Sequence, residues 1–219
     1  MAQSFHRPVF RHVKVPANLI DDIVNEECVV FLGAGASTEG RGTSYWREFL
    51  VDELIAKCKP PPRIRKRLPD VAQYYCDTMD AGNKGKLCRI ILERIRRFMN
   101  SPEAFGTVTL CHSIIASIPQ FKIVVTTNWD QFMERAMNVV PIVARMKDKD
   151  LAAYWDDHYR QVIKMHGCIT DPSSIIVTTK DYDNYMRDIY KSLIWNKIRD
   201  LMATKTFLFL GYGLRDPSF

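Results

Sequence analysis

With 219 residues, 47% hydrophobic and 26% charged, the chain is large enough for a full core and lacks the make-up of a disordered tail, a collagen or a coiled coil. Its net charge of +6 suits an anionic partner, but the excess sits partly in 60–68 and 88–98, where Arg89, Arg94, Arg96 and Arg97 alternate with aliphatics as on a solvated helix face, without the aromatics of a nucleic-acid platform. No apolar run reaches the eighteen or so residues of a membrane span and the start lacks a signal-peptide core, while six scattered cysteines without a C-x-x-C pair argue against a zinc or disulfide framework and for reduced, buried thiols in a cytoplasmic protein.

After an arm over 1–15 and Pro16, the spacing predicts a helix over 17–27. CVVFLG (28–33) is a continuous apolar run, as in a buried strand of a parallel sheet, and it breaks into Gly33, Ala34, Gly35, Ala36 and Ser37. A helix is expected over 44–58, where Trp46, Phe49, Leu50, Leu54 and Ile55 recur at helical spacing, and the prolines at 60–62 stop it. Helical patterns follow over 68–79, 84–99 and 103–117, and 59–105 reads as a small helical lobe. KIVVTT (122–127) is a second strand, followed by a helix from Asp130 to about Asn138. QVIKMH (161–166) and SIIVTT (174–179) are a third and fourth strand, helices cover roughly 180–204, and TFLFLG (206–211) is a fifth strand. Strands alternating with helices predict an α/β fold: a mainly parallel sheet with helices on both faces, plus the helical lobe.

The unusual polar residues gather just after the strands. They are the 33–37 run, then Thr127, Asn128, Trp129 and Asp130, then His166 and Gly167, and finally Gly211, Tyr212 and Gly213. Ligands of open parallel sheets bind at the carboxyl ends of the strands, so four clusters on one edge point to a site more firmly than any one alone. GAGAST is not a dinucleotide fingerprint, because Thr38 stands where the third glycine would be, and no G-K-S/T makes it a Walker loop. Alone it reads equally as a tight turn or as a phosphate cradle. Asn128 and Asp130 likewise read as helix caps or as ligand contacts. His166, ending an apolar strand beside three other clusters, reads as functional, whereas His6, His12, His112 and His158 have no such context.

The ordered motifs G-A-G-A-S, T-T-N-W-D, K-M-H-G and F-L-G-Y-G-L-R-D-P resemble the sirtuin-like NAD-binding family over roughly residues 28–219. In order and spelling the chain is most similar to the sirtuin-like effector domains of bacterial anti-phage defence proteins. It departs from the protein deacylases in two ways: the four-cysteine zinc module has no counterpart, and Thr127 stands where they carry glutamine. The resemblance implies a Rossmann-like fold without that module, no metal, and an enzyme that cleaves NAD⁺ to nicotinamide and ADP-ribose. Carried over, Gly33, Ala34, Gly35 and Ser37 hold the diphosphate and adjoining ribose, and Trp46, Arg47 and Thr127 border the nicotinamide side. Asn128 and His166 are the catalytic pair at the nicotinamide ribose, Asp130 meets the carboxamide, and Gly211, Tyr212 and Gly213 cradle the adenosine half. It also implies one domain over 1–219 at the start of a longer protein, a homo-oligomer controlled by a C-terminal sensor that is not in this chain, and no nucleic acid or membrane bound by this domain. Two other activities stay open: NAD or ADP-ribose sensing without turnover, and NAD-dependent deacylation.

Overall fold

The computed structural model describes residues 14–37, 50–100, 109–143, 159–188 and 191–214. Five strands form one parallel sheet: β1 (Cys28–Leu32), β2 (Ile123–Thr126), β3 (Ile142–Val143), β4 (Gln161–Lys164) and β5 (Thr206–Leu210), in the order β3-β4-β2-β1-β5. Around it lie α1 (Ala17–Val24), α2 (Asp52–Cys58), α3 (Leu68–Met79), α4 (Gly85–Met99), α5 (Leu110–Ser117), α6 (Phe132–Met137), α7 (Thr179–Asp188) and α8 (Leu193–Thr204).

Alternation along the strands assigns the two faces. Cys28, Val30, Leu32, Val124 and Val162 pack with Ile115, Met133 and Met137 of α5 and α6 and with Leu19 and Ile23 of α1. Val29, Phe31, Val125 and Ile163 point the other way, onto Ile194, Ile198 and Leu201 of α8. The expected parallel sheet with helices on both faces is therefore what the chain builds. The strands are buried on both sides, which is why they read as unbroken apolar runs.

The helices α2, α3 and α4 share a core of their own, built on Leu54, Val71, Tyr75, Leu87, Ile91 and Ile95, which continues onto Ile169, Ile175 and Val177 below the sheet's carboxyl edge. Arg94 is not on a purely solvated face: it bonds Glu53 through Nε at 2.7 Å and Nη2 at 2.6 Å, tying α4 to α2.

One expectation about strands needs correction, and one strand was not expected. The apolar run 174–179 is not a strand. Pro172–Ser174 is a 3₁₀ turn and α7 begins at Thr179. Ile175, Ile176 and Val177 are fully buried, but between α4 and α7 rather than in the sheet, and their backbone groups pair with Lys84 Nζ, the His166 carbonyl and Asp181. The strand that pairs with β4 instead is the two-residue β3, which follows Pro141 and carries no sequence pattern of useful length. The helical stretch after 180 is two helices, the second capped by Ser192 Oγ accepting from Trp195 N. The early parts of the expected helices over 44–58 and 103–117 lie outside the described residues.

All six cysteines are free thiols. Burial pushes Cys28 and Cys76 up to about 11, with nearby carboxylates adding to the effect. Among the described residues no three His, Cys, Asp or Glu side chains gather as metal ligands, and no helix is long and apolar enough to cross a membrane.

Candidate active site

The site begins where β1 and β2 end. Leu32 is followed by Gly33 and a 3₁₀ turn, Ala34–Ser37, while Thr126 is followed by the 127–130 turn and then α6. The two turns are cross-linked. Thr126 Oγ1 donates to the Leu32 carbonyl at 2.9 Å and accepts the Asn128 amide at 3.0 Å. Asn128 Nδ2 donates to the Gly33 carbonyl at 3.0 Å and to Ser37 Oγ at 3.1 Å, and Ser37 Oγ in turn donates to Asp130 Oδ2 at 2.8 Å. Ser37, Asn128 and Asp130 are all at least nine-tenths buried.

A cavity of about 150 Å³ opens above them, walled by Ala34, Leu50, Leu68 and residues 127–130. Four of the expected site residues, Ala34, Thr127, Asn128 and Asp130, thus meet on one cavity. Because both N–H groups of the Asn128 amide are committed to protein acceptors, its Oδ1 is the group left to serve a ligand or a water. Asp130 performs the capping role as well: its Oδ1 accepts the first amide of α6, from Phe132, at 3.1 Å.

The glycines have a different task from the one their spacing implies. Gly33 N donates to the Leu210 carbonyl at 3.0 Å and Gly35 N to the Gly211 carbonyl at 2.9 Å, so neither amide is aimed at a ligand. A Cβ on Gly33 would lie 2.5 Å from the Gly211 oxygen, and one on Gly211, whose φ is +63°, would lie 2.2 Å from the Ala36 nitrogen. The turn after β1 and the turn after β5 are pressed backbone to backbone. Tyr212 lays its ring 4.6 Å from that of Phe31, on the α8 face, while a Cβ on Gly213 would meet nothing within 4 Å among the described residues.

His166 is 3% exposed and does not line the cavity. Its ring stands edge-on to Tyr182 at 5.4 Å and to Tyr185 at 6.0 Å, both on α7, and its carbonyl accepts from Ile176 N. Gly167 is not there to admit a ligand: with φ +89°, a Cβ would strike the Ser174 oxygen at 2.3 Å, so the chain folds tightly back on itself here. The neighbouring strut is Lys84, which reaches from α4 to the Ile175 carbonyl at 2.6 Å and to Asp181 Oδ1 at 2.9 Å. Burial works against the Asp181 carboxylate. The Lys84 bond and the amides of Thr178 and Val177 outweigh it and hold the group below the usual carboxylate range. Trp46 and Arg47 lie outside the described residues, as do His6, His12 and His158. His112 is structural, its Nδ1 bonded to Thr109 Oγ1 at 2.6 Å.

Lys164 escaped the sequence reading, and Trp129 stands in the cluster after the second strand without an assigned role. Lys164, at the end of β4, is fully buried and pairs with Glu134 of α6 at 2.7 Å, directly beneath the 127–130 turn. The available signal was a lysine inside an apolar strand. Trp129, also on the cavity wall, has a buried indole N–H that bonds no acceptor among the described residues.

Residues 122–219 match the family model described as a SIR2-like domain. The chain is 29% identical over 202 residues to the NAD(+) hydrolase ThsA of Bacillus cereus (strain MSX-D12), covering 90% of this chain and 39% of that protein. It is 31% identical over 191 residues to the NAD(+) hydrolase ThsA of Enterococcus faecium, with 86% and 37% covered. To Defense-associated sirtuin 2 of Bacillus subtilis it is 26% identical over 203 residues, with 88% and 18% covered. The chain therefore spans about two-fifths or less of the length of these relatives. The resemblance drawn from the motifs, to sirtuin-like proteins of anti-phage defence, is borne out.

Proposed function

We propose that this chain is the NAD⁺-cleaving domain of a defence effector acting in the cytoplasm: it releases nicotinamide and leaves ADP-ribose. The observation that carries this reading is Asn128, a buried amide fixed at both N–H groups whose oxygen is left to a cavity at the carboxyl edge of a parallel sheet. Likeness over nine-tenths of the chain to proteins named NAD(+) hydrolase supports the choice of substrate.

In this reading the nicotinamide ring enters the cavity beside Asp130 and Trp129. Asn128 Oδ1 accepts a hydrogen bond from the attacking water, whose oxygen forms a bond to the anomeric carbon as the bond to the cationic ring nitrogen breaks. Nicotinamide leaves neutral and the water's second proton passes to solvent. The transition state is oxocarbenium-like, so placing the water and holding the ribose supply most of the rate. His166 anchors a ribose hydroxyl. Ser37 and Ala34, with Gly33 and Gly35 shaping the turn, lie toward the diphosphate, and Tyr212 and Gly213, with Gly211 as the clamp, lie toward the adenosine. Thr127, Trp46 and Arg47 border the ring.

The test is chromatography of NAD⁺ after incubation with the parent, Asn128→Ala and His166→Ala. Nicotinamide release should fall roughly a hundredfold or more in each variant. Parental rates in both would overturn the assignment. A second reading, binding of NAD⁺ or ADP-ribose without turnover, is favoured by the packing of the His166 ring against two tyrosines; calorimetric binding without nicotinamide release would establish it. We further propose that the domain stands at the start of a longer protein and is switched on by self-association under a C-terminal sensor. A monomeric chain with full activity on size exclusion would refute the switch.

A further inference from the structure

A lysine buried at the end of a central strand is costly unless its charge is answered. Lys164 is fully buried, and its ammonium donates to Glu134 Oε1 at 2.7 Å and to the main-chain carbonyl of Asp130. Burial alone would lower its pKa, and the Glu134 charge together with that of Asp130 and the hydrogen bond to Glu134 more than reverses that, while burial pushes Glu134 itself up against the pull of Lys164. The pairing is not optimised as packing, since Glu134 Oε2 is buried without a partner among the described residues. An apolar pair of similar bulk is often as stable as such a buried ion pair, or more so. Stability therefore does not account for these two residues.

Their placement does. Lys164 pairs in register with Thr126, the last residue before the 127–130 turn. Asp130 is gripped at three atoms: Oδ2 by Ser37, Oδ1 by the Phe132 amide, and the backbone oxygen by Lys164. Of these three, the lysine grip is the one on the main chain, which is also held where Asn128 N donates to Thr126 Oγ1 at 3.0 Å and the Trp129 carbonyl accepts from Ile169 N at 3.0 Å. On its other side Glu134 Oε1 lies 3.9 Å from Cys168 Sγ, two residues after His166, and Thr170 Oγ1 contacts the same sulfur at 3.1 Å. One ion pair thus touches both the turn that carries Asn128 and the turn that carries His166.

We propose that the Lys164–Glu134 pair is a positioning device, setting the Asn128 turn against the His166 turn so that both meet the nicotinamide ribose in register. This rests on the NAD⁺-cleaving reading above. Neither residue touches substrate.

The test is the double variant Lys164→Met/Glu134→Leu, which removes both charges and keeps the bulk, compared with the parent for thermal melting, NAD⁺ turnover and calorimetric NAD⁺ affinity. The melting temperature should hold or rise while kcat falls about tenfold to a hundredfold, the scale of a misplacement of about 1 Å. KM should move far less, because the diphosphate and adenosine contacts lie elsewhere. A folded double variant with the parental kcat overturns the proposal. Should that variant fail to fold, Lys164→Gln/Glu134→Gln, a neutral amide pair, takes its place under the same criteria. A parent that binds NAD⁺ without cleaving it overturns the hydrolase reading alone; the positioning role is then read in affinity, where a fall of about tenfold supports it and no change overturns it. A parent that neither binds nor cleaves NAD⁺ overturns both.

Discussion

The turns after β1 and β2 leave neighbouring strands on the same edge of the sheet, and they use their polar groups in opposite ways. The first, rich in glycine, commits the amides of Gly33 and Gly35 to the turn after β5 and becomes a clamp between two pieces of backbone. The second has no glycine. It commits the N–H groups of Asn128 to the clamp and leaves a side-chain oxygen at the cavity. Small residues here make the frame, and an amide held at one end lines the cavity. A motif that looks like a ligand cradle can be the scaffold for the motif beside it.

The sharpest attack on that division is Asn128→Asp. The shape is kept, but the two donors to Gly33 and Ser37 are lost and a carboxylate faces a carbonyl; nicotinamide release should fall roughly a hundredfold to a thousandfold. Full activity would show that the amide is not what the second turn contributes. Next in size is Gly211→Ala, which must place a side chain at φ +63° and within 2.2 Å of the Ala36 nitrogen. Urea unfolding should report a loss of about 2–4 kcal/mol, and a parental midpoint would dissolve the clamp. Ser37→Ala cuts two of the bonds that join the two turns and should cost about 1–3 kcal/mol, with a fall in turnover, since Asn128 and Asp130 each lose a partner. The smallest effect belongs to Gly213→Ala. With nothing among the described residues within 4 Å of its Cβ, stability should stay within about 0.5 kcal/mol, and any rise in KM for NAD⁺ then reports a contact with the ligand rather than with the frame.

Much of the frame was legible. β1, β2 and β4 stand out because strands buried in the middle of a parallel sheet are rich in apolar residues, and β5 because its run TFLFL is apolar although it is only partly buried. The run 174–179 misled for the same reason: Ile175, Ile176 and Val177 are equally buried, but between helices, and composition does not report which neighbour does the burying. β3 was invisible because two paired residues after a proline carry no period. Within the site, Asn128 and Asp130 were found because polar side chains after a buried strand need a reason to be there. Lys164 was overlooked because its reason, Glu134, comes thirty residues earlier, on a helix whose register no local pattern reveals. The glycine run left both readings open because a backbone contact between 33–35 and 211 leaves the same residue preference as a contact with phosphate.

The strand order β3-β4-β2-β1-β5 places the last strand in the chain against the first. Its consequence is temporal. Among the described residues the amides of Gly33 and Gly35 donate to the Leu210 and Gly211 carbonyls, so the clamp on the turn that anchors Asn128 closes once β5 has docked in parallel beside β1. Parallel pairing between distant segments is among the slow steps of folding, because the intervening chain must be closed into a loop before any contact repays it. A growing chain therefore carries Ser37 and Asn128 before it carries the site, and the cavity is completed once β5 has been made and has docked.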